Sequence, residues 1–396
     1  MIVKSAIVLA LFTPLLATDT IPPTTGLTVH EWGTFTSIAA ADGGAEPWVS
    51  LSPPADLPCF VYHLSAQCVK CGANRVRMET PVIYFYSAQP VMASVHVDLP
   101  TGLITEWYPQ ATQAANRMQP GMTYGNGGNI EWRDVQVSPG ATAEFPTAGD
   151  HSHYYAARET DSAPLRVGDQ AEKVLFYRGI ADFDIAVRPK FLPDGKLEIR
   201  NTGADAVGFA ILFENRGGKT GYRVIRDLRG SVLLDSPDLT ADVRSVHQEL
   251  AGALSASGLY TKEAAAMIET WRDSWFEEGM RIFYVVPRKI VDAVLPLKIA
   301  PAPTAIERVF VGRVEVFSPA MQRSLETALE SGDTKTLEQY GRFLRPFCDR
   351  IINSPSRARI SQAAWSFLAR SAQPAGPPTA SPCRVEPLVL PTEQQQ

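Results

Sequence analysis

Thr28–Ser37 reads TVHEWGTFTS, and how this run is read decides the fold. It is rich in β-branched and aromatic residues, the composition of a strand. In a strand, successive side chains face opposite ways. Val29, Glu31, Gly33 and Phe35 then share one face, and His30, Trp32 and Thr34 the other. His30 and Glu31 point apart unless Gly33 permits a bulge. The plain reading is a first strand with Trp32 in the core and His30 as a satisfied, half-buried polar group. The sharper reading makes His30, Glu31 and Trp32 parts of a site.

Working outward, residues 19 to about 235 keep this character. Pro81–Ser87, Ser94–Pro100, Ile104–Pro109, Ile130–Val137, Lys173–Gly179, Lys196–Asn201 and Val207–Asn215 all read as strands, punctuated by Gly, Pro, Asn and Asp. Residues 112–128 read as a long loop. From about 240 the period changes: Val243, Val246, His247, Leu250 and Leu254 mark a helix that Gly258 closes. His247 reads as a core histidine. Thr261 caps a second helix running to Gly279. Strands return at Arg281–Pro287, Ala293–Ile299 and Arg308–Phe317, and Ser318-Pro319 opens further helices to about Ser371. The expected fold is α+β, mainly β. It has an antiparallel sandwich-like core over 19–318, a helical hairpin inserted at about 240–279, and a helical region at 319–372. Residues 373–396 form a Pro-rich tail.

The chain has 396 residues, 45% hydrophobic, enough for a sizeable core. A net charge of −5 without a basic run excludes nucleic acid as the main partner. Lys4 followed by the apolar run Ala6–Ala17 fits a secretory signal over residues 1–18 and is too short to span a bilayer. No later segment is long and apolar enough to do so. The expected location is periplasmic or secreted. No phosphate-binding glycine motif and no GxSxG motif occurs.

HEWGTFTS, RMETPVIYFYS (Arg77–Ser87), ITEWYPQAT (Ile104–Thr112), HYYAARETD (His153–Asp161), LFYRG (Leu175–Gly179) and TWRDSWFEEG (Thr270–Gly279) together resemble a group of exported bacterial proteins sharing these motifs. The likeness runs to about residue 318. It implies export and a single architecture, and brings with it no activity and no catalytic residues. Cys59–Cys71 looks like an elaboration of this chain.

Four groups of residues could carry chemistry. Cys59, His63, Cys68 and Cys71 form the ligand set of a structural zinc site, but an exported chain favours a disulfide from Cys59 to Cys68 or Cys71. His151 and His153 would share one side of a strand and, with His30, His96, Asp150 or Glu159, could hold zinc or copper; the plain alternative is a solvated loop. Arg158, Glu159 and Asp161 read as a nucleophile or base beside an arginine, or as a surface ion-pair network. Tyr177 and Arg178 end a strand, where Arg178 could clamp an anionic substrate. Glu278 falls on the apolar side of the second helix near Met267 and Trp271, where desolvation would raise its pKa as a general acid needs.

Three functions follow from these groups. The first is a hydrolase of an extracellular polymer such as carbohydrate, with Glu278, Glu159, Asp161 and Glu31 as catalytic candidates and Trp32, Arg158, Tyr177 and Arg178 as substrate contacts. The second is a metal-dependent enzyme on the His-x-His pair. The third is a non-catalytic envelope protein that binds a glycan, small molecule or partner.

Overall fold

The computed structural model describes residues 26–51, 57–64, 73–118, 125–148, 152–353 and 358–371. In chain order the strands are β1 (Thr28–Ala39), β2 (Ala45–Glu46), β3 (Tyr62–His63), β4 (Val76–Tyr86), β5 (Val91–Leu99), β6 (Gly102–Tyr108), β7 (Gln113–Met118), β8 (Gly125–Val137), β9 (Leu165–Val167), β10 (Gln170–Glu172), β11 (Leu175–Ala181), β12 (Val187–Phe191), β13 (Leu197–Asn201), β14 (Val207–Arg216), β15 (Lys219–Leu228) and β16 (Ser231–Leu234). Helices α1 (Val243–Ala256) and α2 (Thr261–Trp275) follow, then β17 (Gly279–Val285), α3 (Arg288–Val294), β18 (Leu297–Ala300) and β19 (Ala305–Val316). Helices α4 (Pro319–Ser331), α5 (Thr334–Glu338), α6 (Leu344–Ile352) and α7 (Ala358–Ser371) come last. The protein is α+β and mainly β.

The largest sheet runs β15-β14-β17-β19-β1-β4-β11-β6-β3, with β2 on β1. Its pairings are antiparallel except at the centre, where β1 and β19 run parallel. The sandwich-like core is therefore a mixed sheet rather than an antiparallel one. All of β1 is buried, as a strand covered on both faces must be. Val29 and Phe35 face one core and Trp32 the other, as the period-two alternation requires. The expected bulge is there, but its extra residue lies on β4: Trp32 pairs with Val82 and Thr34 with Glu79. Thr80 adopts φ 50° and Pro81 has no N–H to offer the ladder. Gly33 is required opposite it, because a Cβ there would lie 2.7 Å from the Phe310 ring and 3.1 Å from Pro81 Cα.

One face of this sheet packs on a second sheet, β10-β9-β8-β5-β18 with β7 on β8, on the small sheet β12-β13-β16, and on α4, α6 and α7. The opposite face packs on α1, α2 and a 3-10 turn at His153–Arg158. Among the described residues no helix is long and apolar enough to cross a membrane.

Several local expectations change. Residues 112–128 are not one loop, since β7 and the start of β8 pair there. Ala293–Ile299 splits into the end of α3 and the start of β18; Pro287 opens α3, and the Arg288–Asp292 ion pair spans one helical turn. Tyr260, not Thr261, caps α2, because its N–H donates to Glu263 Oε2 at 2.8 Å. Helix α2 stops at Trp275 because Arg281, from the next strand, donates to the carbonyls of Trp275, Glu277 and Glu278. Gly258 (φ 117°) follows α1, and Ser318 caps α4 by accepting from the Met321 N–H, both as expected. Residues 1–18 and the tail 373–396 lie outside the described residues.

Candidate functional site

The conspicuous residues of β1 are buried on opposite faces. His30 Nδ1 lies 2.8 Å from Glu263 Oε2, and Tyr86 donates to the other oxygen of that carboxylate at 2.8 Å. Glu31 accepts from Tyr177 and, at 2.5 Å, from Arg308 Nε. Burial and the Glu31 carboxylate push the Tyr177 phenol well up. Trp32 is fully buried in the helix-side core and cannot reach a substrate. Arg178 is buried as well and donates to Thr80 Oγ1 at 3.1 Å, bracing the β4 bulge.

The HYYAARETD stretch is a 3-10 turn, not a strand. Arg158 grips Glu172 with both guanidinium edges, at 2.9 and 2.6 Å, and Tyr154 donates to the same carboxylate at 3.0 Å. The rings of Phe60, Phe145, Tyr154 and Tyr155 surround the guanidinium. Arg158 thus holds the turn to β10. Glu159 is exposed, and Asp161 pairs with Lys262 at 2.5 Å on the surface. His153 Nε2 lies 2.6 Å from Asp273 Oδ2. His151 lies outside the described residues. The partners of His30 and His153, Glu263 and Asp273, are ten residues apart on α2. That is about 15 Å of helix, so these two histidines do not share a metal. Among the described residues no three His, Cys, Asp or Glu groups converge on one point. Cys59 is a disulfide cysteine, His63 is exposed on β3, and Cys68 and Cys71 lie outside the described residues.

Glu278 does not sit on α2, which has already ended. Its carboxylate accepts from the Gly217 N–H at 2.9 and 3.0 Å, at the β14–β15 turn. Burial raises its pKa. Glu214 on β14 is raised too, by burial and then by the Glu278 charge. The four carboxylates proposed as catalytic therefore occupy separate places.

The largest recess lies elsewhere. A groove of about 670 Å3 opens between α1 and the ends of β14, β17 and β19. Helix α1 lines it with Gln248, Glu249, Gly252, Ala253 and Ala256, one stripe at helical spacing. The sheet contributes Phe209, Tyr222, Val285 and Val309. Arg308 lines it too, though only 5% exposed. Its Nε and Nη1 are taken by Glu31 and, at 2.8 Å, by Asp292, while Nη2 is buried without a hydrogen bond. The groove thus joins the β1 signature from behind: Tyr177 and Glu31 hold the guanidinium, and β19 carries it to the wall. Burial lowers the Arg308 pKa, but the Glu31 and Tyr177 charges outweigh it and hold the guanidinium protonated. Two groove glycines, Gly208 and Gly252, have ordinary backbone angles, and a Cβ at either would touch nothing. Neither packing nor backbone calls for glycine there.

Sequence reasoning missed Arg308 and the α1 stripe. The available signal was Gly252 inside an otherwise regular helical pattern, which costs roughly 1 kcal/mol against alanine. None of the residues first proposed as catalytic lines the groove.

Neither a family model nor a curated protein matches the chain. Among solved structures, the Fcho1 Mu homology domain of Danio rerio with bound Eps15 peptide aligns at 5% identity and TM-score 0.27, over 74% of this chain and 97% of that one. The yeast delta-COP-I mu-homology domain aligns at 8% identity and TM-score 0.26, over 75% of this chain and all of that one. Likeness this slight carries no functional argument.

Proposed function

We propose that this is an exported, non-catalytic binding protein and that the groove beneath α1 holds its ligand. The observation that supports this best is Arg308, a buried guanidinium at the groove wall with one N–H unpaired. A buried donor left unpaired costs about 1–3 kcal/mol, and an acceptor on a ligand would recover it. Pockets of about 300–1,000 Å3 with a few polar groups on apolar walls are the usual form of small-ligand sites. The groove offers no pair of carboxylates for acid–base work, since Glu249 is its only acid. The test is a thermal-shift screen of small molecules on wild type and Gly252→Leu. Ligands of the groove should raise the melting temperature of wild type alone. If every hit shifts both proteins equally, the groove is not the site.

Export rests on the signal-like residues 1–18 and on the resemblance described above. Cell fractionation checks it: periplasmic or culture-medium protein should start after residue 17 or so.

One observation favours the hydrolase reading. Glu278 and Glu214 are close enough for each to feel burial and for Glu278 to raise Glu214. Under that reading Glu278→Gln abolishes polymer hydrolysis; under the binding reading there is no hydrolysis to lose. The metal-enzyme reading has less support, because His30 and His153 are each held by a different carboxylate.

A further inference from the structure

The lining of the groove specifies what it takes, and this inference rests on the binding reading above. Its charges cancel. Arg226 pairs with Glu249 at 3.2 Å, Arg288 with Asp292 at 2.8 Å, and Arg308 with Glu31 at 2.5 Å and Asp292 at 2.8 Å. Three arginines therefore face three acids. An ionic ligand would give up its hydration and find no free counter-charge. What the groove does offer is hydrogen bonding. Arg308 Nη2 lacks an acceptor, and Glu249 and Gln248 present polar heads from α1. Opposite them, Phe209, Tyr222, Val285 and Val309 form an apolar wall. A molecule that suits such a groove is uncharged, has hydroxyl groups on its edge, and has a C–H face to lay on rings and methyls.

We propose that the ligand is an uncharged mono- or disaccharide, one hydroxyl oxygen of which accepts the hydrogen bond from Arg308 Nη2. Gly252 and Gly208 leave the space for the ring, which explains glycine at two positions where the protein itself has no use for it. Arg308 reads the hydroxyl, and Glu31 with Tyr177 are positioning residues that hold the guanidinium from behind. A site built to pair a hydroxyl discriminates against the analogue lacking it, because its own donor is then left buried and unpaired.

The experiment uses the mature, exported chain. It is titrated by calorimetry with methyl glucoside, cellobiose and chitobiose, with glucuronate and glucosamine as charged counterparts, and with dodecanoate as an apolar anion; an array of neutral and acidic glycans widens the search. The expected result is a neutral saccharide that binds at least tenfold more tightly than its charged counterparts. Its affinity should fall at least tenfold in Gly252→Leu, a variant whose added side chain enters open space in a helix and leaves the fold intact. Arg308→Lys should weaken it similarly, and if that variant does not fold, Glu249→Gln takes its place. Tighter binding of glucuronate or dodecanoate than of any neutral sugar, still lost in Gly252→Leu, would overturn the saccharide and leave the groove as the site. Saccharide binding unchanged by Gly252→Leu would overturn the groove itself. An array with no neutral glycan bound would also overturn the proposal.

Discussion

At the scale of single residues, buried charge sets how the molecule responds to pH and substitution. Glu79 shows the sign. Burial alone would raise its carboxyl, but the Arg342 guanidinium, the Thr36 hydroxyl and Arg178 hold it down to about 2. A carboxyl lowered on folding stabilises above its ordinary value of 4.5, and that stability is lost as pH falls toward 2. The contribution is on the order of 3 kcal/mol. Chemical denaturation between pH 6 and 2 should therefore show a loss that Glu79→Gln removes. Arg281 and Arg313 share the buried Glu315 at 2.9 and 2.6 Å. Glu315→Gln leaves both guanidinium groups short of their counter-ion, and urea titration should show about 3–5 kcal/mol of destabilisation. These partnerships were illegible in the sequence. The alternation of β1 could be read locally, because a period of two needs only neighbours. Nothing in TVHEWGTFTS says that His30 meets a glutamate 233 residues on, or that Glu31 meets an arginine 277 residues on.

At the scale of elements, caps and glycines carry the predictions. Ser318→Ala removes the side chain that accepts from the Met321 N–H and should cost about 1 kcal/mol by thermal unfolding. Gly252→Ala should do the reverse, raising stability by about 1 kcal/mol, because the position is helical and its Cβ meets nothing. A loss on Gly252→Ala would mean that the α1 backbone is strained there. Helices α1, α2 and α4 were legible because apolar spacing and caps lie within each segment. The end of α2 was not, because the groups that close it come from Arg281 on the next strand. The β7–β8 pair was missed because its Gly- and Asn-rich sequence carries loop chemistry into a strand.

At the scale of the whole molecule, α+β with a dominant β part was legible from composition and period. The parallel pairing of β1 with β19 was not, since strand order is set by contacts far apart in sequence. Such contacts close large loops before they stabilise anything, which slows folding. Refolding from urea, followed by tryptophan fluorescence, should take milliseconds to seconds or longer. Most of its amplitude should disappear in a chain ending before residue 305, which lacks β19.

The strand at the middle of the great sheet is the first the ribosome makes, and its neighbour is the last of the β-rich region. Until residue 316 has appeared, β1 has one side without a partner. A nascent chain is thus kept from locking into its final shape early. For a protein threaded through a membrane amino end first, that delay would keep the polypeptide loose enough to pass.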